Sequence, residues 1–324
     1  MRYQVIASLA GAYPVTRLCT ALEVSESGYY AWRKRQPSRR PVSDQQLTER
    51  IEQVYHASRR TYGSPRVQAE LREQGVRCSR KRIARLMRER GLSARRKRHR
   101  TGTTDSHHAM PVAPNRLNRE FHAERPNEKW VTDITGIWTS QGWLYLGVVL
   151  DVFSGKVIGW AMAARREDDL VLAALRMALA QRRPQAGLLH HSDRGSQYTS
   201  KDYQALLSAW GIEVSMSRKG DCYDNALMES FFATLKGECT DRQHWASHSP
   251  ARQAIFEYLE VFYNRQRRHS AWEYLSPVTY EQRRASFPSS LALPKRGKPT
   301  ESLAAYDRAL QLNPANALAY VGKG

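Results

Sequence analysis

Three runs of strand-like sequence joined by tight-turn signals limit what the second half of this chain can fold into. Residues 130–138 (Trp-Val-Thr-Asp-Ile-Thr-Gly-Ile-Trp) are rich in β-branched and aromatic side chains. Gln141-Gly142 supplies a turn, residues 143–151 a second such run, Ser154-Gly155 another turn, and residues 156–163 a third. An antiparallel meander is the expected result. Strands then alternate with helices: a helix at 167–182, a short buried strand at 188–191, a helix at 199–210, a strand at 212–216 and a helix over about 224–239. A last long helix is expected near 249–267.

A meander followed by alternating strands and helices is the order of an RNase H-like α/β domain, a mixed five-stranded sheet with flanking helices. Three acids fall at notable places in that order. Aspartate is depleted in strand interiors, where its charge is costly without a partner. Yet Asp133 lies mid-strand, on the face shared by Val131 and Thr135. Asp193 lies just past the end of strand 188–191, followed by Gly195 in a turn, and strand ends of this kind gather functional groups. Glu229 is on a helix, sharing a stripe with Asn225, Phe232 and Lys236, while Leu227, Phe231 and Leu235 form the expected core stripe. Lys236, two turns beyond Glu229, lies where a DNA phosphate could reach it.

Taken singly, an acid is most often a solvated or capping group. Asp224 is expected to cap the Glu229 helix, and Asp151 and Asp221 to serve turns. Taken together, three carboxylates suit Mg²⁺, which takes oxygen ligands and keeps part of its water shell. Two such ions about 3.5–4 Å apart can serve an in-line displacement at phosphorus.

Charge separates the front of the chain from the rear. The formal charge is +20, and residues 1–100 hold 24 Lys and Arg against 8 Asp and Glu. The other 224 residues hold 27 against 23. A basic half on a near-neutral half fits a module that binds a polyanion, with an Arg-rich solvated surface as the bland alternative. Residues 13–34 read as a short helical module and 44–58 as an amphipathic helix, with Pro37-Ser38-Arg39-Arg40-Pro41 as a break between them. Ser64 as N-cap and Pro65 at the first helical position open another helix, which ends at Gly75. Ser79 caps the next, which ends at Gly91. This pair is a helix-turn-helix candidate. Its second helix is expected to expose Arg80, Lys81, Arg82, Arg85, Arg88 and Arg90 to DNA; the competing reading is an ordinary hairpin with a solvated basic face.

Arg95-Arg96-Lys97-Arg98-His99-Arg100 is too densely charged to pack. The expected domains are therefore a basic helical region at 1–100, a linker at 101–126, a catalytic core at 127–287 and a tail at 288–324. No stretch approaches the roughly 18 apolar residues of a membrane span. The N-terminus reads as the start of a domain rather than a signal peptide, so a cytoplasmic protein is expected. Cys19, Cys78, Cys222 and Cys239 form no CxxC pair, against a zinc knuckle or disulfide framework.

Several ungapped blocks now resemble a known family. Trp130-Val131-Thr132-Asp133-Ile134-Thr135, His191-Ser192-Asp193-Arg194-Gly195-Ser196-Gln197-Tyr198 and Asp224-Asn225-Ala226-Leu227-Met228-Glu229-Ser230-Phe231-Phe232 resemble the integrase core of IS3-type insertion-sequence transposases and, more distantly, retroviral integrases. Thirty-five residues separate Asp193 from Glu229, and Lys236 follows Glu229 by seven, as in the D,D-35-E class. Tyr263-Asn264, Arg268-His269-Ser270 and Ser276-Pro277 resemble the family's closing segment; Ser27-Gly28-Tyr29-Tyr30 and Tyr62-Gly63-Ser64-Pro65 fit its second-reading-frame product.

The resemblance, over roughly residues 1–287, implies a DDE transposase that cuts and transfers DNA strands using Mg²⁺ or Mn²⁺, with two ions expected. It makes Asp133, Asp193 and Glu229 the metal ligands and Lys236 and Asn225 DNA-end contacts. For Tyr263, Asn264 and His269 a structural role, packing under the Glu229 helix, stands equally. The implied partners are the element's terminal inverted repeats, target DNA, further copies of the chain and the element's first-frame product, in a bacterial cytoplasm at the nucleoid. Two departures remain. No long heptad run is present, and residues 301–320 look like part of a tetratricopeptide repeat, too little to bury a repeat's faces. Competing functions are a non-enzymatic DNA-binding protein and a nuclease acting on RNA–DNA hybrids.

Overall fold

The structure, a computed structural model, describes residues 2–34, 39–94, 112–218 and 222–286, with backbone alone for 39–42 and 222–223. The Arg95–Arg100 run, the first part of the linker, Asp221 and the repeat-like tail lie outside the described residues. The chain divides into two units at Ala94/Arg95.

The first unit is helical: α1 (Arg2–Leu9), α2 (Val15–Ala21), α3 (Glu26–Lys34), α4 (Arg39–Ala57), α5 (Ser64–Glu73) and α6 (Arg80–Glu89). Helix α1 lacks the spacing that would announce it, and only Ile6 in it is buried. It is held by Tyr3, whose ring lies 5.8 Å from that of Trp32, beside buried Cys19 and Tyr29. Helix α4 begins at Arg39, through the expected break, because Pro41 falls in its first turn, where a missing N–H costs nothing. Leu47, Ile51 and Val54 of α4 are buried, as are Val67 and Leu71 of α5 and Ile83, Leu86 and Met87 of α6. These are the faces the periodicity indicated. The cap of α5 is Gly63 rather than Ser64, with no side-chain cap bond. Ser79 caps α6 as expected, its Oγ accepting from Arg82 N at 3.3 Å.

The second unit is built on β1 (Lys129–Thr139), β2 (Gly142–Asp151), β3 (Val157–Ala163), β4 (Leu189–Ser192) and β5 (Glu213–Met216). They form one sheet in the order β3-β2-β1-β4-β5. The β1–β2–β3 meander is antiparallel, while β4 pairs parallel with both β1 and β5. Helix α7 (Asp168–Arg182) lies on β3 so closely that a Cβ at Gly159 would sit 2.2 Å from Ala174 O. Val171, Leu175, Ala178 and Leu179 of α7 share a core with Trp130, Val149 and Ile158. Tyr203 and Leu207 of α8 (Lys201–Ala209) extend that core toward β5.

Helix α9 (Ala226–Glu238) packs against β1. Helix α10 (His248–Phe256) continues as a π-helical stretch, Glu257–Tyr263, where a uniform helix to 267 was expected. Asn264 N reaches back to Leu259 O, and the extra residue per turn redirects the chain beyond it. Helix α11 (Pro277–Ala285) closes the unit. Its Glu281 pairs with Arg182 of α7 and, at 3.6 Å, with Lys156. Arg182 also reaches Asp151 at 3.4 Å. Asp151 does serve its turn, accepting from Phe153 N at 3.0 Å, but it is fully buried as well, and burial pushes its carboxyl up to about 6.

Candidate active site

Asp133 enters the site from the middle of β1, paired across to Val148. Asp193 directly follows β4, the strand running parallel beside β1. A parallel neighbour places the end of β4 beside the middle of the longer β1, so two acids 60 positions apart in sequence converge. Their convergence is electrostatic as well as topological. Burial is the largest cause raising the Asp133 carboxyl above its usual range, and the Asp193 charge is next. The Ile134 N–H and Arg166 oppose that rise, and the Glu229 charge adds to it more weakly. Glu229 stands on the exposed side of the first turn of α9.

The structure thus brings Asp133 and Asp193 together and sets Glu229 within electrostatic reach of Asp133. Among the described residues no three His, Cys, Asp or Glu side chains form a group close enough to hold a metal ion. The donor set nevertheless fits a hard divalent cation. It consists of carboxylates alone, and burial, with the Asp193 charge next, leaves Asp133 reluctant to ionise until a cation neutralises the site.

The turn after Asp193 is shaped around its carboxylate. Gly195 N donates to Asp193 Oδ1 at 2.9 Å. A Cβ at Gly195 would lie 3.0 Å from that oxygen and 3.1 Å from Gln197 Oε1. Behind the turn, Tyr198 is fully buried and its hydroxyl has no hydrogen-bond partner among the described residues. Burial and the charges of Asp133 and Asp193 hold that phenol well above its ordinary range.

Several expectations about α9 need correction. Asp224 does not cap the helix. It is a fully buried hub that accepts from Asn115 Nδ2 at 2.8 Å, Arg119 Nε at 3.1 Å and Arg218 N at 2.8 Å, among others. The guanidinium and amide of Arg218 lead in holding its carboxyl far below the carboxylate range. Asn225 does not lie on an exposed face. It is buried, and its Nδ2 donates to Thr132 O at 3.2 Å, tying the start of α9 to β1 next to Asp133. Phe232 is buried too, so the core side of α9 is Met228, Phe231, Phe232 and Leu235, with Leu227 only half-buried. Lys236 is half-buried, two turns beyond Glu229.

Tyr263, Asn264 and His269 take the structural role. The Tyr263 ring meets Phe231 of α9 edge-on at 5.0 Å, and His269 packs on Tyr263 at 4.8 Å. Sequence reasoning missed Arg166, whose charge acts on Asp133 from the loop before α7. An arginine one position from another, between a strand and a helix, carries no signal that would single it out.

In the first unit, α6 presents fewer exposed cations than expected. Arg82 and Arg85 both turn to Asp44 of α4, at 2.6 Å each, and Arg90 pairs with Glu52 at 3.6 Å. Arg80, Lys81 and Arg88 remain exposed, as does Arg90 despite its pairing.

Comparisons with known proteins identify the family. Residues 123–222 and 210–277 match the Integrase core domain family, and residues 43–100 match the HTH-like domain. A 31 kDa protein of insertion element IS600 in Shigella sonnei is 46% identical over 266 residues, covering 82% of this chain and 98% of that protein. Transposase InsF of insertion sequence IS3A in Escherichia coli K12 is 41% identical over 287 residues, covering 87% of this chain and 99% of the relative. Among solved structures, a simian T-cell lymphotropic virus intasome is 19% identical, with a TM-score of 0.43 over 72% of this chain and 74% of that one. The HTLV-2 integrase catalytic core domain in complex with magnesium is 18% identical, with a TM-score of 0.38 over 49% of this chain and 99% of that one. The family matches define an integrase-core protein preceded by a helix-turn-helix-like unit. The chain belongs to the IS3-type family of insertion-sequence transposases.

Proposed function

We propose that this chain is a DDE transposase whose chemistry is centred on Asp133, Asp193 and Glu229. Its reaction is hydrolysis and transesterification at phosphodiester bonds of an insertion sequence. Water cuts a strand at the element end and frees a 3′-OH. That hydroxyl then attacks a target phosphodiester, forming one bond to phosphorus as the target's own 3′ oxygen leaves with a proton. The observation that carries the assignment is the convergence of Asp133 and Asp193, by way of parallel β1 and β4, in an integrase-core fold.

Asp133, Asp193 and Glu229 are assigned as ligands of divalent metal, Mg²⁺ or Mn²⁺, in two positions. A metal bound there would supply positive charge to the attacking and leaving oxygens. The chain's own residues hold the carboxylates in place: Gly195 N on Asp193, Ile134 N on Asp133, and Asn225 fixing the start of the helix that carries Glu229. Lys236 is assigned to a DNA phosphate beside Glu229, and Arg80, Lys81 and Arg88 to phosphates of the element end, whose terminal inverted repeats are the proposed DNA partner. No helix among the described residues is long and apolar enough to cross a membrane. Work at paired element ends calls for at least two copies on DNA, together with the first-frame product where the element encodes one.

The test is Asp193→Asn against the wild-type chain, with Mg²⁺ and a duplex of the DNA end adjoining this gene. Wild type should cut and join; the variant should bind the duplex with unchanged affinity and lose at least about a thousandfold in rate. Joining by the variant at the wild-type rate would refute the assignment.

A further inference from the structure

The loop between β3 and α7 places one cation at the acidic centre. Arg166 is half-buried, and its charge acts favourably on Asp133. Its Nη2 lies 3.6 Å from where a Cβ of Gly195 would stand, and that same point is 3.0 Å from Asp193 Oδ1. The backbone of Arg166 is anchored to the turn after Asp193 through Gln197 Nε2, which donates to Arg166 O at 3.2 Å. The arginine is therefore tied to the segment that positions Asp193.

Its donors are not spent on the acids. Among the described residues, Arg166 Nε is buried and has no hydrogen-bond partner. Arg182 shares a buried, unpartnered Nε, but its Nη groups are committed to Glu281 and Asp151, and Arg82 is committed to Asp44, whereas Arg166 makes no ion pair with a carboxylate among the described residues. An arginine kept only to neutralise Asp133 and Asp193 would pair with them. One held beside them with its Nη2 near Asp193 and no ion pair to either acid is set for a third group. The group that comes to a cluster of acids and matches a planar guanidinium fork is a phosphate.

We propose that Arg166 is a substrate-binding residue of the transposition reaction, its guanidinium contacting a non-bridging oxygen of the DNA phosphate brought to Asp133 and Asp193. The assignment rests on the reading of those acids as the chemical centre. Arg166 supplies the positive charge that the carboxylates cannot. A donor aimed at charge developing on a phosphoryl group affects rate more than binding, since flexible contacts along the duplex dominate affinity.

The experiment compares Arg166→Gln and Arg166→Lys with wild type and Asp193→Asn. The probes are Mg²⁺ alone and the element-end duplex. Arg166→Gln should lose about a hundredfold in rate at saturating DNA, the scale of one lost donor to a developing oxyanion, with its KM for DNA changed less than about threefold. Arg166→Lys, which keeps the charge but not the fork, should recover only part of that loss. Without DNA, the Mg²⁺ concentration giving half-maximal thermal stabilisation should fall for Arg166→Gln, because a like charge has gone. A wild-type rate for Arg166→Gln, with Asp193→Asn inactive, would overturn this proposal and leave the active-site reading standing. Loss of Mg²⁺-induced stabilisation in Arg166→Gln would also overturn it, making Arg166 a support for the acids. No Mg²⁺-dependent cleavage by wild type would end both.

Discussion

Asn264 holds both backbone groups of Val157. Its Oδ1 accepts from Val157 N at 2.9 Å and its Nδ2 donates to Val157 O at 2.9 Å. Val157 opens β3, the outer strand of the sheet, and the amide of Asn264 takes the place of a missing neighbour strand. The π-helical stretch that ends at Tyr263 delivers Asn264 to that edge. One residue earlier, Tyr263 braces Phe231 of the Glu229 helix, so edge and site share a support.

That pairing predicts an order of damage. Asn264→Ala leaves two buried backbone groups unanswered and should cost about 2–4 kcal/mol. Asn264→Asp keeps the acceptor but faces a carboxylate to Val157 O, and should cost more than the alanine at pH 7. Urea unfolding of both variants measures it. Values within about 0.5 kcal/mol of wild type would show that the edge does not need the amide.

Gly195→Ala should separate activity from stability. The backbone of Gly195, with φ −59°, is open to any residue. The added methyl instead meets Asp193 Oδ1 and Gln197 Oε1 at about 3 Å, so one of those groups must shift. Displacing a catalytic carboxylate by a fraction of an ångström costs on the order of ten- to a hundredfold in rate. Strand cleavage should fall by that amount while the unfolding free energy changes by less than about 1 kcal/mol. A rate equal to wild type would mean the turn does not fix Asp193.

The order and positions of the elements were legible because the meander and the later α/β alternation have different periods, and each strand is bounded by turn residues. Elements fell within a few residues of expectation where apolar spacing was clean, as in α7 and β1. What was not legible depended on partners distant in sequence. Asp224 looked like a cap because its donors among the described residues include Asn115, Arg119 and Arg218, none of which its local sequence announces. Arg82 and Arg85 looked exposed because Asp44 lies two helices away. The π turn has no composition of its own, and α1 survives by ring contacts rather than by an amphipathic face. Of the candidate site, the places of the three acids, mid-strand, past a strand end and on a helix, could be read from the sequence. Arg166 could not.

His190 should make the fold sensitive to acid. It is buried, its Nε2 lies 2.8 Å from the Tyr203 hydroxyl, and burial, with the neighbouring His191, depresses it to about 3. A depressed folded value means the stability is complete above the ordinary value of 6.5 and is lost as pH falls toward 3. At about 1.4 kcal/mol per pH unit, about 3 kcal/mol should be lost between about pH 6.5 and 4.5. Asp151 acts the other way, since its raised value near 6 relieves a penalty as pH falls. The difference between wild type and His190→Gln isolates the histidine. Urea midpoints from about pH 7 to 4.5 should fall less steeply in the variant, and parallel slopes would contradict the assignment.

Asp44 sets how much positive charge α6 can offer to DNA. Its carboxylate holds Arg82 and Arg85 at 2.6 Å each, and those guanidinium groups keep it below the usual carboxylate range. Both arginines are partly exposed, so the pairing hides charge rather than burying it. Asp44→Asn removes one negative charge and frees two guanidinium groups. If α6 lies along a phosphate backbone, the variant should bind duplex DNA more tightly at low salt. The slope of log K against log[salt] should steepen by about one to two units, close to about 0.9 for each added phosphate contact. Arg88→Ala, which removes an exposed cation, should shift the slope about one unit the other way without altering sequence preference. Equal slopes for wild type, Asp44→Asn and Arg88→Ala would place the DNA on another face of the first unit.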